Sequence, residues 1–425
     1  MNKVGICTLG CKVNTYESEY IESLLKNHGY EIGNFNDKND IYIINTCSVT
    51  NSADSKSRKM IHRALKNNKD AIIIAMGCFI EANHDFNVDG VSIIIGNKDK
   101  ANILDLIEKY KKEKKQIVNL YKDFDREFED MEVTTFGSRA RAFVKIQDGC
   151  ENFCSYCIIP YTRGKCRSKD KEKVIQEIKE LVKNGYKEVV LTGIHTGHYG
   201  IDKNYTFASL LKEIEQIKGL LRLRISSIEI TELDDAFLDV LRNSKVIVDH
   251  MHIPLQSGTD EILEVMNRKY DTKYYEEKIK KIRAIRPDMA ISTDIIVGMP
   301  YETEELFQKT IDFAKKMKFS KIHVFPYSKR KGTKASEMQH QVEESVKKRR
   351  SRRLIEVSKE LEIEYMNRFL NQEMDVIVEL EKEEYSIGHT GNFLHVKIPK
   401  KLPKDTVVKV KLVKEEYPYL IGEEQ

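Results

Sequence analysis

Short runs of β-branched and apolar residues recur through the first hundred positions, at Val4 to Cys7, Ile41 to Asn45, Ala71 to Met76 and Val91 to Ile95. Between them lie stretches with helical spacing of apolar positions, for instance Tyr16 to Asn27, Ser52 to Lys66 and Asn102 to Lys112. Strand and helix in turn predict a parallel sheet flanked by helices over residues 1–115. Residues 116–138 are polar and charged, lose any period and read as a solvated linker. A second alternation starts at Ala142, with strands near Phe143 to Ile146, Glu188 to Leu191, Leu223 to Ser226, Asp249 to Ile253, Ala290 to Ile296 and Lys321 to Phe325. Six such units over 139–368 predict a partial (β/α)6 barrel, whose working face lies at the carboxyl ends of its strands. A charged helix from about Val342 to Tyr365 closes this unit. From residue 369 only short strands follow (MDVIVEL, FLHVKI, TVVKVKLV and YLIG), and their spacing suits a small antiparallel barrel of the oligonucleotide-binding type. The fold class is α/β, in three units.

Composition narrows the class without changing that picture. With 32% charged and 40% hydrophobic residues, the 425-residue chain is neither collagen-like nor disordered. No apolar run approaches the roughly 18 residues of a membrane helix, and the N-terminal segment lacks the apolar stretch of a secretory signal, so a cytoplasmic location is expected. The net charge of +4 permits a nucleic-acid partner without requiring one. Residues 371–425 hold eight Lys against eleven Asp and Glu, so any RNA grip there is local.

The cysteines carry the chemistry. All eight lie in the first 166 residues, and in a reducing compartment metal or redox chemistry explains them better than disulfides. Cys150, Cys154 and Cys157 stand in CENFCSYC, directly after the first strand of the predicted barrel. Three thiolates on one loop can hold three irons of a 4Fe–4S cluster and leave the fourth open, whereas a zinc site needs a fourth ligand and only Cys166 is near in sequence. Cys11, Cys47 and Cys78 each sit just beyond a predicted strand end, where open α/β sheets place ligands. Cys7 falls inside the first strand and reads as a buried small hydrophobe, Cys166 as a bystander.

The loop CENFCSYCIIPYTRG resembles the cluster loop of radical S-adenosylmethionine enzymes, specifically of their methylthiotransferase branch. TLGCKVNTYES, NTCSVTNSA and AMGCF are similar to the three N-terminal segments with which methylthiotransferases hold a second cluster. The resemblance implies two 4Fe–4S clusters, one on Cys150, Cys154 and Cys157 and one on Cys11, Cys47 and Cys78. It implies that the first chelates S-adenosylmethionine and yields a 5′-deoxyadenosyl radical, while the second carries the sulfur that becomes a methylthio group. An electron donor and a sulfur source are further implied partners. The C-terminal barrel resembles the TRAM domain of tRNA-modifying enzymes. GCKVN and HVFPYSKRKGT look most like the enzymes acting on N6-threonylcarbamoyladenosine at position 37, in the anticodon loop of tRNA. The alternatives are the isopentenyladenosine branch, with its GCQMN-like first motif, the branch modifying an aspartate of a ribosomal protein, and a non-catalytic iron–sulfur RNA-binding protein.

Several barrel residues have plausible uses. Gly193 and Gly197 would let backbone approach the cofactor, and Glu229 and Gln256, at strand ends, would hydrogen-bond its ribose or amino group. Asp294 is expected to make a structural hydrogen bond. His195, His198, His250 and His252 read as satisfied polar histidines. The run KKRRSRR, Lys347 to Arg353, with Arg139 and Arg141, is a candidate phosphate-binding surface.

Overall fold

The structure is a computed structural model and describes residues 2–86, 88–120, 127–137 and 140–425. Six strands, β1 (Lys3–Thr8), β2 (Glu31–Gly33), β3 (Ile41–Thr46), β4 (Ile72–Gly77), β5 (Ile93–Ile95) and β6 (Ile117–Asn119), form one parallel sheet in the order β2-β1-β3-β4-β5-β6. IYIINT and IIIAMG are buried along their whole length, as central parallel strands covered on both faces must be. The order switches direction between β1 and β3, which opens a crevice at their carboxyl ends. Cys11 follows β1 and Cys47 follows β3, so both lie at that switch point.

Two features depart from the sequence pattern. Strands β2 and β6 are only three residues long, too short to show a period, and β6 lies in the stretch read as linker. That stretch also buries Met131, Val133 and Phe136 in the central core, where the Tyr16 hydroxyl donates to the carbonyl of Met131 at 2.6 Å. Three spaced apolar residues tie it down.

The central unit contains β7 (Arg141–Lys145), β8 (Gln147–Asp148), β9 (Arg167–Ser168), β10 (Glu188–Thr192), β11 (Arg222–Ile225), β12 (His250–His252), β13 (Ala290–Val297) and β14 (Lys321–Pro326). The main strands form two parallel sheets, β11-β10-β7 and β12-β13-β14, joined by a bridge between Leu223 and Ile247. All six expected barrel strands are present, in a partial barrel around one apolar core.

The last unit is a closed barrel of β15 (Glu373–Glu381), β16 (Ser386–His389), β17 (His395–Ile398), β18 (Val407–Glu416) and β19 (Tyr419–Glu424). Four strands were expected there; β16 is the fifth, and β17 pairs with β19 in parallel rather than antiparallel fashion. The barrel docks through polar contacts, buried or half-buried. Arg222 donates to the carbonyls of His389 (3.1 Å) and Asp375 (2.7 Å), and Arg141 pairs with Glu379 at 2.9 Å. Among the described residues, no helix is long and apolar enough to cross a membrane.

Candidate functional site

Local backbone geometry presents each cysteine. Cys11 is the N-cap of helix α1 (Lys12–Asn27), and Cys78 opens the short helix Cys78–Ala82. Gly10 has φ +95°, and a Cβ there would lie 2.6 Å from Cys47 Sγ, so this turn needs glycine for Cys11 and Cys47 to share a crevice. Burial pushes the Cys47 thiol up to about 12, with Cys78 and Cys11 adding to the rise, and burial likewise raises Cys11. Asn97 Nδ2 donates to Cys78 Sγ at 3.3 Å and to the Thr162 carbonyl at 3.0 Å, tying this crevice to the second loop.

The CENFCSYC loop leaves β8 through Gly149, where φ is +79° and a Cβ would fall 1.9 Å from the Lys165 carbonyl oxygen. Backbone bonds fix the turn: Cys150 N donates to Gly164 O (3.0 Å), Ser155 N to Met266 O (3.0 Å) and Cys157 N to Cys154 O (2.9 Å). Burial pushes the Cys157 thiol up to about 12, reinforced by Cys154, and burial also raises Cys154 against the pull of Arg268. Arg268 Nη1 donates to Cys154 Sγ at 3.1 Å, and its Nη2 is paired with Glu229.

Both trios are more widely spaced than the ligand atoms of a single-ion site. A zinc ion with bonds of about 2.3 Å holds its sulfurs roughly 3.8 Å apart. Among the described residues, the groups of three with ligand atoms within 4.8 Å are Cys166 with His195 and His198, and His252 with Asp294 and His323. Neither cysteine trio is so tight.

A buried ion network joins the two sites. Arg163 is fully buried; its Nη1 donates to Asp148 (3.0 and 3.1 Å) and Glu17 (3.1 Å), and its Nη2 donates to Asn14 at 2.8 Å. Lys145 bridges the same two carboxylates at 3.0 and 2.8 Å, and Lys100 pairs with Glu17. Burial alone would raise the Glu17 and Asp148 carboxyls, yet these cations hold both well below the usual carboxylate range. Asn14 and Arg163 stand inside the quoted motifs GCKVN and YTRG, but spacing alone gave them no role. Arg268 carried no sequence signal at all.

The other expected residues are placed as follows. Glu229 is engaged by Arg268. Gln256 adopts φ +68° and lines a cavity with Tyr156 of the loop, Asp294 and Ile296. A Cβ on Gly193 would come within 3.0 Å of Gln147 Oε1, which accepts from His195 N at 2.7 Å, so the crowding there comes from Gln147. A Cβ on Gly197 would meet Glu232. His195 contacts Glu232 and lies 3.7 Å from Cys150 Sγ. Cys166 is buried, with its Sγ 3.8 Å from His198 Nδ1, so the supposed bystander has a polar neighbour. Cys7 is half-buried, not buried, because its strand lies beside the edge strand β2.

The basic run is largely neutralised. On helix Glu344–Asn367, Lys347 and Arg350 are buried; Arg350 pairs with Glu302 at 3.0 Å and Arg353 with Glu304 at 2.6 Å. Lys348, Arg349 and Arg352 remain exposed. Arg139 lies outside the described residues, and Arg141 lines an interior cavity.

The chain matches the Radical SAM superfamily over residues 144–314 and the uncharacterized protein family UPF0004 over residues 3–96. It is 44% identical to the threonylcarbamoyladenosine tRNA methylthiotransferase MtaB of Bacillus subtilis (strain 168), covering 100% of this chain and 96% of that one. It is 37% identical to the tRNA-2-methylthio-N(6)-dimethylallyladenosine synthase of Natranaerobius thermophilus, over 83% of this chain and 80% of that one. Among solved structures, the radical S-adenosylmethionine methyltransferase TsrM of Kitasatospora setae shares the fold, with a TM-score of 0.56 at 14% identity over 79% of this chain and 76% of that one.

Proposed function

Because this chain belongs to the tRNA methylthiotransferases of the radical S-adenosylmethionine superfamily, we infer that it replaces the C2 hydrogen of N6-threonylcarbamoyladenosine at position 37 of tRNA with a methylthio group. The observation that carries the choice of base is the full-length 44% identity to an enzyme of that name, against 37% over less of the chain for the dimethylallyladenosine relative. S-adenosylmethionine and two 4Fe–4S clusters supply, when bound, a carbon radical strong enough for an unactivated C–H bond and the sulfur that replaces the hydrogen.

The protein's own residues hold and shield that chemistry. In this reading Cys150, Cys154 and Cys157 ligate one cluster and Cys11, Cys47 and Cys78 the other. Each trio leaves one iron to a non-protein ligand. Arg268 donates to Cys154 and stabilises it as a thiolate, and Glu229 fixes Arg268, so Glu229 acts on the cluster through the arginine. Of the expected residues, Gln256 is placed for a cofactor role, through the cavity it shares with Tyr156. Arg163, Lys145 and Lys100 bind the two cysteine-bearing units together. The C-terminal barrel serves as the RNA grip, an electron donor and a sulfur source complete each turnover, and the work is cytoplasmic.

Nucleoside analysis of tRNA from a strain lacking this gene tests the reading. The expected result is loss of the 2-methylthio derivative of threonylcarbamoyladenosine with the parent nucleoside retained. Loss of the methylthio-isopentenyl nucleoside in its place would transfer the protein to the other branch, and unchanged levels of both would reject the reading.

A further inference from the structure

Where the central barrel, α1 and the C-terminal barrel converge, the structure encloses a cavity of about 430 Å3, within the size range of small-ligand sites. Its wall draws one residue or more from each unit: Lys12 from the first, Arg141, Arg224 and His250 from the second, Phe393 from the third. Lys12 directly follows Cys11. It is accessible to water yet surrounded by protein, the condition of a side chain facing an interior space. Among the described residues it has no hydrogen-bond or ion-pair partner.

The two guanidiniums stack on the ring of Phe393, with Arg224 Cζ 4.6 Å and Arg141 Cζ 5.1 Å from its centroid. Arg224 is 2% exposed. Its Nε and Nη2 are spent on Glu188 (2.7 and 3.3 Å) and the Gly391 carbonyl (3.1 Å), but among the described residues its Nη1 has no partner. His250 Nδ1 in the same wall also lacks one. The cavity's own carboxylate, Glu362, is paired with Lys321 at 3.0 Å. A buried guanidinium donor left without a partner is costly, so the cavity is built for an acceptor that none of the described residues supplies. With Lys12 unpaired as well, that acceptor is anionic.

Resting on the proposed base, we propose that Lys12, Arg224 and Arg141 read the α-carboxylate of the threonylcarbamoyl group, and that this cavity thereby sets the choice between threonylcarbamoyl- and isopentenyladenosine. The isopentenyl group is apolar and would leave Lys12 and the Nη1 of Arg224 without an acceptor, which is how a polar site rejects an analogue lacking its partner. The phenyl face of Phe393 orders the two guanidiniums, so their donors are aimed before substrate arrives.

The test is the methylthiolation rate of the cluster-loaded enzyme on three tRNAs of one sequence: the threonylcarbamoyl form, its carboxyl methyl ester and the isopentenyl form. Wild-type enzyme is expected to favour the acid over the ester by roughly 10–100-fold in kcat/KM. In Lys12→Met that ratio falls toward one, and in Lys12→Arg it is kept. Because Lys12 neighbours a proposed cluster ligand, Arg141→Gln provides a second reading from a different unit, and ratios taken within one enzyme cancel differences in cluster loading. A wild-type ratio near one, or a large ratio unmoved in both Lys12→Met and Arg141→Gln, would overturn the proposal while the base assignment stands. If the cations met a backbone phosphate instead, the variants would slow all three tRNAs alike, which also overturns it. Product on the isopentenyl tRNA alone would overturn the base assignment and this proposal together.

Discussion

Arg163, six residues beyond the last cysteine of the CENFCSYC loop, donates to Glu17 at 3.1 Å, six residues beyond Cys11. One buried guanidinium thus spans the two cysteine-bearing units. Arg163→Met would leave Glu17 and Asp148 short of countercharge, and breaking a buried pair on one side costs about 3–5 kcal/mol. We expect a lower urea midpoint and poorer iron incorporation at both trios. Loss at only one trio would show that the network does not join them.

The two trios are expected to fail differently. Cys154→Ala should abolish formation of 5′-deoxyadenosine by reduced, reconstituted enzyme. Cys47→Ala should retain it while losing the methylthiolated nucleoside. Iron content should fall from about eight to about four per chain in either variant. Retention of methylthiolation by Cys47→Ala would remove that residue from the ligand set.

Arg268→Gln keeps a polar N–H donor on a shorter side chain and removes the charge that faces Cys154. Residues supporting a ligand typically contribute 10–100-fold to activity or metal affinity, so 5′-deoxyadenosine formation should drop by roughly that factor. Glu229→Gln should drop it less, since the arginine remains. Slower turnover with unchanged S-adenosylmethionine affinity in both variants would fit this positioning role, whereas a selective loss of S-adenosylmethionine affinity in Glu229→Gln would make Glu229 a direct cofactor contact.

On the basic helix, position decides the outcome. Arg350→Ala should destabilise the fold, because Arg350 is buried against Glu302. Replacing exposed Lys348, Arg349 and Arg352 with Ala should leave thermal stability nearly unchanged. It should also flatten the salt dependence of tRNA binding, by up to about 0.9 in log–log slope for each phosphate no longer neutralised. An unaltered slope would mark this face as merely solvated.

Docking of the C-terminal barrel should weaken in acid. Burial would raise Glu379, but His389 and Arg141 hold it down to about 2, below its ordinary 4.5. A carboxyl with a depressed folded value stabilises fully above its unfolded pKa and loses that contribution as pH falls through the folded one. Melting temperature of the metal-free protein is therefore expected to decline between pH 4.5 and 2, and Glu379→Gln should shallow that decline. An identical profile in the variant would place the acid sensitivity elsewhere.

The sequence by itself determined the α/β class, the six barrel strands and the placing of cysteines just beyond strand ends, because hydrophobic period and the spacing of thiols behind strands are local properties. It did not reveal the short edge strands β2 and β6, which show no period in three residues, nor that Met131, Val133 and Phe136 anchor a polar stretch. Tertiary structure alone decided what each charge faces. KKRRSRR reads as one basic surface along the chain, yet helical geometry turns Arg350 inward to Glu302 and leaves Arg352 in water. Lys12, Arg224 and Phe393 are far apart along the chain and meet only because three units converge. Charge is written in the sequence, but its partner and its dielectric surroundings are set by packing.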